Sequence, residues 1–289
     1  MKEWSRSAPC KINLALDVLG RRSDGYHDMY MIMQSVSLCD TVTVREKETG
    51  FSLLAPGLEL PEGKKTLEQR AAEAFFAFAD LPMPGLEVEL EKVTPAFAGL
   101  GGGSADVAAL LRILRDVYAP HITQKELEGI GLQIGSDMPF CIHGGTALAE
   151  GRGEILTDLP PLPPCWIVLA KPEFGIPTPT LFARLHGEEE KHRPDIPGMM
   201  DALRQGDLEG IARRLGNVFE DVLPEDCGEV FRIKEQLLSL GALGAAMSGS
   251  GPTVFGLFRE EDAAQKAANA LKEKYPQTFL ARPVGRFEA

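Results

Sequence analysis

The period of apolar and polar positions changes along the chain, and each change marks an element. Ile12, Leu14, Leu16 and Val18 alternate with Asn13, Ala15 and Asp17, the period of a half-buried strand, which places Lys11, Asn13 and Asp17 together on its opposite face. A turn-like segment, Arg21 to Gly25, precedes Met31 to Val44, where apolar and β-branched residues predict one or two strands. Thr66 to Gln69 has capping-box form before an Ala- and Phe-rich run and predicts a helix over Leu67 to Ala79. Leu86 to Glu91 alternates again as a strand. Beyond Gly99-Leu100-Gly101-Gly102-Gly103-Ser104, the residues Val107, Leu110, Leu111 and Leu114 recur at helical spacing, with Ser104 where an N-cap belongs. A second capping box, Thr123 to Glu126, opens a helix that ends before Gly135-Ser136-Asp137-Met138-Pro139-Phe140, a short loop at a helix end.

Pro160, Pro161, Pro163 and Pro164 then interrupt the pattern ahead of the apolar run Trp166 to Ala170. The break predicts two domains, 1–159 and 160–289. In the second, the expected order is strand 166–170, several helices between 179 and 240, strand 243–248, strand 253–258, helix 260–273 and strand 278–283. This β-α-β-β-α-β order, with extra helices in its first crossover, is the ferredoxin-like arrangement, so the fold class expected is α+β.

Composition narrows the function. The 289 residues are 44% hydrophobic and 25% charged, which supports a sizeable core and excludes a disordered or collagen-like chain. With 30 Lys+Arg against 42 Asp+Glu, the net charge of −12 argues against nucleic-acid or anionic-membrane partners, so any phosphate ligand must be held by local features. The five cysteines are odd in number and widely spaced, without zinc spacing, and no apolar run reaches membrane-spanning length. The expected address is a reducing cytoplasm.

The most informative segment chemically is Pro95-Ala96-Phe97-Ala98-Gly99-Leu100-Gly101-Gly102-Gly103-Ser104-Ala105. Its glycines let backbone N–H groups turn inward without Cβ obstruction, and the helix that follows adds a positive dipole end, which together suit a triphosphate. Neither a Walker A loop, nor GxGxxG after a strand, nor HExxH, nor GxSxG occurs. A second glycine-rich stretch, Gly241 to Gly251, fits either a hairpin or a loop approaching a ligand. Asp137, between Gly135 and Pro139, is set to aim a carboxylate into a cleft, although most loop aspartates cap helices or meet water, and Lys11 alone reads as a strand-end lysine.

Taken together, Pro9-Cys10-Lys11-Ile12-Asn13-Leu14, the Gly99–Ser104 loop and Ala246-Met247-Ser248-Gly249-Ser250-Gly251-Pro252-Thr253 resemble the GHMP kinase superfamily over nearly the whole chain. Arg22-Ser23-Asp24-Gly25-Tyr26-His27 and Gly135–Phe140 narrow the resemblance to the branch acting on 4-diphosphocytidyl-2-C-methyl-D-erythritol, and away from homoserine or mevalonate kinases. The resemblance implies an N-terminal domain of the ribosomal-protein S5 type packed on a ferredoxin-like domain. The implied activity is ATP- and Mg²⁺-dependent phosphorylation of a C2 hydroxyl in the non-mevalonate isoprenoid pathway. It implies Asp137 as general base, Lys11 as its cationic partner, and Pro95–Ala105 with Lys92 and Thr66 as the ATP site. Ser104 is the hydroxyl expected near Mg²⁺, with no firm protein ligand for the metal. Tyr26 and Phe182 are expected to sandwich cytosine while His27 bonds its edge, with Asn13, Gly249 and Ser250 completing the substrate site. Phe97, Ala105 and Thr66 depart from the usual pattern, where small residues, a second serine and an asparagine stand. Retention of both Lys11 and Asp137 argues against a non-catalytic nucleotide-binding regulator.

Overall fold

The computed structural model describes residues 2–57, 63–185 and 192–287. Its framework is a long ribbon of β1 (Glu3–Arg21) and β2 (His27–Lys47), paired antiparallel from Glu3↔Arg45 to Arg21↔His27. One half of β2 also carries β4 (Gly85–Glu91), with β3 (Phe51–Leu54) parallel beyond it, and the other half carries β5 (Thr146–Gly151), with β6 (Ile155–Asp158) beyond that. A two-residue strand, β8 (Gly216–Asn217), completes this seven-stranded sheet by pairing parallel with β1 at Ala15 and Leu16. Four helices complete the first half: α1 (Leu67–Phe78), α2 (Gly102–Tyr118), α3 (Gln124–Leu132) and α4 (Met138–His143).

The second half is built on β7 (Trp166–Lys171), β9 (Gly244–Met247), β10 (Val254–Phe258) and β11 (Gln277–Ala281). Their order in the sheet is β11-β7-β10-β9 with every pair antiparallel, the ferredoxin-like topology that the order of apolar runs predicts. The first crossover holds α5 (Thr178–Phe182), α6 (Ile196–Gln205), α7 (Leu208–Ala212) and α8 (Glu229–Ser239), and the second holds α9 (Glu261–Lys272). No helix among the described residues is long and apolar enough to cross a membrane.

The sheets are not packed as separate bodies. One core cluster joins Met29, Met31, Met33 and Phe140 to Val168, Val254 and Phe258, and another joins Ile12, Leu14 and Ile32 to Ile167, Leu169 and Phe255. The ribbon is therefore covered on both faces, and Lys11, Asn13 and Asp17 are as buried as the leucines beside them. That corrects the half-buried reading: the alternation is real up to Asn13, but register shifts after Pro9, Asn13 and Val18 break it, and the second half covers the polar face. After β11 the chain crosses back. Ser37 N–H donates to Arg282 O at 2.8 Å, Val284 N–H donates to Ser35 O at 2.9 Å, and the Arg112 guanidinium lies 4.0 Å from the Phe287 ring centroid.

Two further expectations are corrected locally. Ser104 is not an N-cap, because the cap of α2 lies three residues earlier, at Gly101 with its left-handed φ of +67°, and Ser104 sits inside the first turn. The Gly135–Phe140 segment is only partly a loop, since Pro139 lies in the first turn of α4, where its missing N–H costs nothing. Thr66 and Thr123 cap α1 and α3 as their spacing predicts, Thr123 with the full reciprocal box.

His143, at the end of α4, is clamped between Glu128 Oε1 at 3.0 Å and Asp158 Oδ1 at 2.6 Å. Burial works to lower its pKa, but the two carboxylates outweigh that and raise it above the usual histidine value. A histidine with a raised folded-state pKa stabilises fully below its unfolded pKa and loses that contribution as pH climbs through the folded value. The thermal midpoint of the wild type should therefore fall between pH 5.5 and pH 8 more steeply than that of His143→Gln. Parallel pH profiles for the two proteins would refute the clamp.

Candidate active site

Glycine lets the two halves of the chain touch backbone to backbone. Gly99 has a φ of +74°, and a Cβ built there would lie 2.1 Å from Ser248 O and 2.8 Å from Gly251 N. Into that contact Ser248 Oγ–H donates to Gly99 O at 3.0 Å, and Thr253 N–H donates to Ala98 O at 3.4 Å. The second loop is itself braced, with Gly251 N–H donating to Ser248 O at 2.9 Å and the Asn217 amide donating to Met247 O at 2.9 Å and Gly249 O at 2.8 Å. The Gly241–Gly251 stretch thus ends as a hairpin loop between β9 and β10 that also closes on the Gly99 loop.

Lys11 is enclosed where the loops meet. Its N–H donates to Leu100 O at 2.9 Å, and its stem passes under Gly101, where a Cβ would come within 3.1 Å of Lys11 Cγ. The ammonium donates to Asn13 Oδ1 at 2.8 Å and lies 3.7 Å from Asp137 Oδ2, and a Cβ on Gly249 would lie 3.1 Å from it. Asn13 N–H in turn donates to Ser248 Oγ at 3.3 Å. Asp137 holds the N-cap position of α4, yet its side chain makes no capping bond and is left to face Lys11. The Lys11 side chain is 5% exposed and that of Asp137 is 39% exposed, so the pair has one buried member and one open to an incoming ligand.

Beside this pair the start of α2 forms an anion cradle. Ala105 N–H makes the first intrahelical bond, to Gly101 O at 2.9 Å, and helix geometry leaves the preceding N–H groups of Gly102, Gly103 and Ser104 without an intrahelical acceptor. A Cβ on Gly103 would meet nothing within 4 Å, so this face is open, and half-buried Ser104 stands at its edge. Pro95, Ala98 and Leu100 are buried supports, whereas Ala96 and Phe97 face solvent. Ala105 is buried in the core of the first half, so the hydroxyl it lacks would point away from the cradle. Among the described residues no three His, Cys, Asp or Glu side chains converge as a metal site. The cradle fits a cation that arrives with phosphate oxygens and water.

Lys92 is engaged elsewhere. Its ammonium sits between Asp40 and Asp106, 2.5 Å from Asp106 Oδ2, while Asp40 Oδ1 accepts from the N–H groups of Val93 at 2.6 Å and Thr94 at 2.7 Å. Burial pushes the Asp106 carboxyl up to about 7 despite the opposing pull of Lys92. Thr66 spends its hydroxyl on capping α1, accepting from Gln69 N–H at 3.3 Å. Sequence reading missed Asp40 and Asp106, and only the position of Asp106 three residues after Gly103 hinted at either.

Across the cleft, aromatic residues pair in an order the sequence does not reveal. His27 stacks on Phe182 with centroids 4.6 Å apart at 24°, and Phe182 stands edge-on to Phe219 at 5.0 Å. Burial, reinforced by Arg21, lowers the His27 pKa and keeps the imidazole neutral at pH 7. Tyr26, 51% exposed, instead faces the guanidinium of Arg152, 4.7 Å from its ring, on the turn between β5 and β6. No motif marks Arg152. Ser250 Oγ lies 2.7 Å from Thr178 Oγ1, which ties the second glycine loop to the start of α5. The structure thus unites Lys11, Asn13, Asp137, Gly249 and the Gly99–Ser104 loop, and gathers Tyr26, His27 and Phe182 into two separate ring contacts.

Comparison with known proteins agrees with this geometry. Residues 66–145 match the model for the GHMP kinases N terminal domain, and residues 199–277 match that for GHMP kinases C terminal. The 4-diphosphocytidyl-2-C-methyl-D-erythritol kinase of Listeria monocytogenes is 41% identical over 96% of this chain and 96% of its own length. The enzyme of the same name from Exiguobacterium sibiricum is 42% identical over 96% of this chain and 97% of its own. A crystal structure of 4-(cytidine 5'-diphospho)-2C-methyl-D-erythritol kinase superposes with a TM-score of 0.82 at 32% identity, covering 98% of this chain and 100% of that one. With its paired glycine loops and a relationship that runs nearly end to end, the chain belongs to the 4-diphosphocytidyl-2-C-methyl-D-erythritol kinase family of GHMP kinases.

Proposed function

We propose that this site carries the γ-phosphoryl group of ATP to the C2 hydroxyl of 4-diphosphocytidyl-2-C-methyl-D-erythritol, giving the 2-phosphate and ADP, with Lys11 and Asp137 at the reacting atoms. The protein is an ATP-dependent kinase of the non-mevalonate isoprenoid pathway. The observation that carries the assignment of roles is the open Asp137 carboxylate 3.7 Å from a buried ammonium, beside a helix N-terminus that presents free N–H groups.

Phosphoryl transfer depends on positioning and charge stabilisation more than on covalent help from the protein. Backbone N–H groups of Gly101 to Ser104 hold the phosphates, with Pro95 to Ala98 beside the nucleoside and Thr66 and Lys92 at the edge of its pocket. Asp137 accepts the C2 hydroxyl proton as the oxygen attacks phosphorus, and Lys11 stabilises negative charge on the transferring group. Mg²⁺, when bound, neutralises β- and γ-phosphate charge, and Ser104 supplies the hydroxyl placed to meet it. Asn13 fixes the Lys11 ammonium, while Gly249 and Ser250 hold the acceptor end of the substrate. Cytosine lies between Tyr26 and Phe182 with neutral His27 bonded to its edge, which requires the imidazole to leave the Phe182 face it covers. In this reading 1–159 is the nucleotide-binding domain and 160–289 the ferredoxin-like one, and the enzyme works in the cytoplasm without nucleic-acid or membrane partners.

Asp137→Asn should lower kcat by roughly 10²- to 10⁴-fold, the usual span for general-base removal, with ATP affinity by equilibrium binding nearly unchanged. Turnover close to wild type would sink the base assignment. Loss of one stacking face, in Tyr26→Ala, should raise KM for the cytidyl substrate about tenfold and leave KM for ATP alone. Equal KM changes for both substrates would show that Tyr26 does not hold the base.

A further inference from the structure

A cavity of about 740 Å³ lies outside the site described above, between the chain that links the two halves and the segment that returns from β11. Buried Gln34, on β2, is part of its wall. Gln34 is paired with Ile12, whereas Ser35 and Met33 are paired with Lys11 and Asn13, so strand alternation turns the Gln34 side chain to the face of the sheet opposite Lys11. The cavity therefore sits behind the ribbon from the Lys11–Asp137 pair and shares no residue with it.

Its two ends differ in chemistry. At the buried end the polar groups satisfy one another. Thr146 Oγ1–H donates to Gln34 Oε1 at 2.6 Å and accepts from Leu162 N–H at 3.1 Å, and the Gln34 amide donates to Ser35 O at 2.7 Å and Val284 O at 3.0 Å. What Leu159, Leu162 and Val284 then present is an apolar wall. The mouth is cationic. Half-exposed Arg259, Arg282 and Arg286 line it against one carboxylate, Asp158, in a chain whose net charge is −12. Arg286 is held by Asp158 at 2.5 Å, and Arg259 by Glu209.

Arg282 is the least committed of the three. Its guanidinium lies 3.7 Å from the ring centroid of Trp166, another residue of the wall. The one carboxylate within ion-pair range of it among the described residues, Glu261 Oε1, stands 3.8 Å away, beyond hydrogen-bond reach. A planar fork of donors braced on an indole at the edge of an apolar cavity matches an anionic head on an apolar body. Three guanidiniums around a single carboxylate favour a dianionic head, hence a phosphate monoester over a carboxylate.

We propose that this cavity is a second ligand site, which takes one molecule of an amphiphilic phosphate monoester from solution, its apolar chain between Leu162 and Val284 and its head on Arg282.

The test titrates octyl phosphate, below its micelle concentration, and octanol, the chain without the head, into the protein by calorimetry. Octyl phosphate should bind at least tenfold more tightly than octanol. Arg282→Gln should weaken octyl phosphate about tenfold, the scale of a lost charge-assisted hydrogen bond, and leave octanol binding, kcat and both KM values unchanged. Arg282 is exposed enough that this variant keeps the fold, and Leu162→Trp, which fills the cavity, should abolish binding of both probes. The chain has two tryptophans, so in Trp4→Phe protein the emission of Trp166 should change saturably with octyl phosphate. Wild-type affinity in Arg282→Gln, or an unmoved Trp166 emission, overturns the proposal. Displacement of octyl phosphate by ATP also overturns it, because the probe would then lie in the cradle at α2. So does co-sedimentation with phosphatidic acid vesicles by a protein that takes up no free octyl phosphate, since the arginines would then face a lipid surface.

Discussion

The approach of Gly99 to Ser248 is the constraint on which the site depends. Backbone from two sheets comes together at a distance that leaves no room for a Cβ, and the Ser248 hydroxyl links both sides by accepting from Asn13 N–H and donating to Gly99 O. Lys11 is enclosed as a result, its stem under Gly101 and its ammonium against Gly249. A buried ammonium is costly unless paired, and here Asn13 and Asp137 provide the partners, so the loops that bury the charge also fix where it points. Substituting any larger residue at 99 would separate the loops and release Lys11 to solvent.

The chain has a net charge of −12 and yet has to hold two polyphosphate compounds, and its two central lysines show how the difficulty is divided. Lys92 lies between two buried carboxylates and serves the scaffold, joining the interior of β2, the segment after β4 and the first turns of α2. Lys11 faces one carboxylate at 3.7 Å, too long for a tight ion pair, and so keeps attraction in reserve for a ligand. In the proposed site, attraction for phosphate comes from Lys11 and from oriented N–H groups, over a range short enough that the distant acidic surface is screened.

Much of this was legible in the sequence wherever the cause is local. Capping at Thr66 and Thr123, the apolar runs of the ferredoxin-like half and the glycines that permit the loop contact all act within a few residues of themselves. Apart from Ser104, the misreadings share a different cause, which is pairing between distant segments. The β5–β6 hairpin went unread because its strands are short and its register is set by β2, and the polar face of β1 is buried by a domain that begins more than a hundred residues later. Ser104 looks like a cap, but glycine at 101 starts α2 earlier by supplying a left-handed residue that serine does not. Asp40 carries no local signal at all, since its role exists only once Lys92, Thr94 and Asp106 surround it.

The two sides of the cleft are built from different materials, and that bears on how one fold serves many acceptors. The proposed phosphate side is made of backbone: loops fixed by carbonyl and N–H bonds, with glycine required by sterics at 99 and favoured by a left-handed φ at 101. The opposite side is made of side chains, the His27 ring on Phe182 and the Arg152 guanidinium on Tyr26. Under the proposed assignment, a change in the first part disturbs the geometry of transfer itself, whereas a change in the second alters which molecule is held against it. Chemistry common to a superfamily can thus stay with the backbone while acceptor choice rests with a few rings, which is why motifs at Tyr26 and His27 narrow the family when the glycine loops do not.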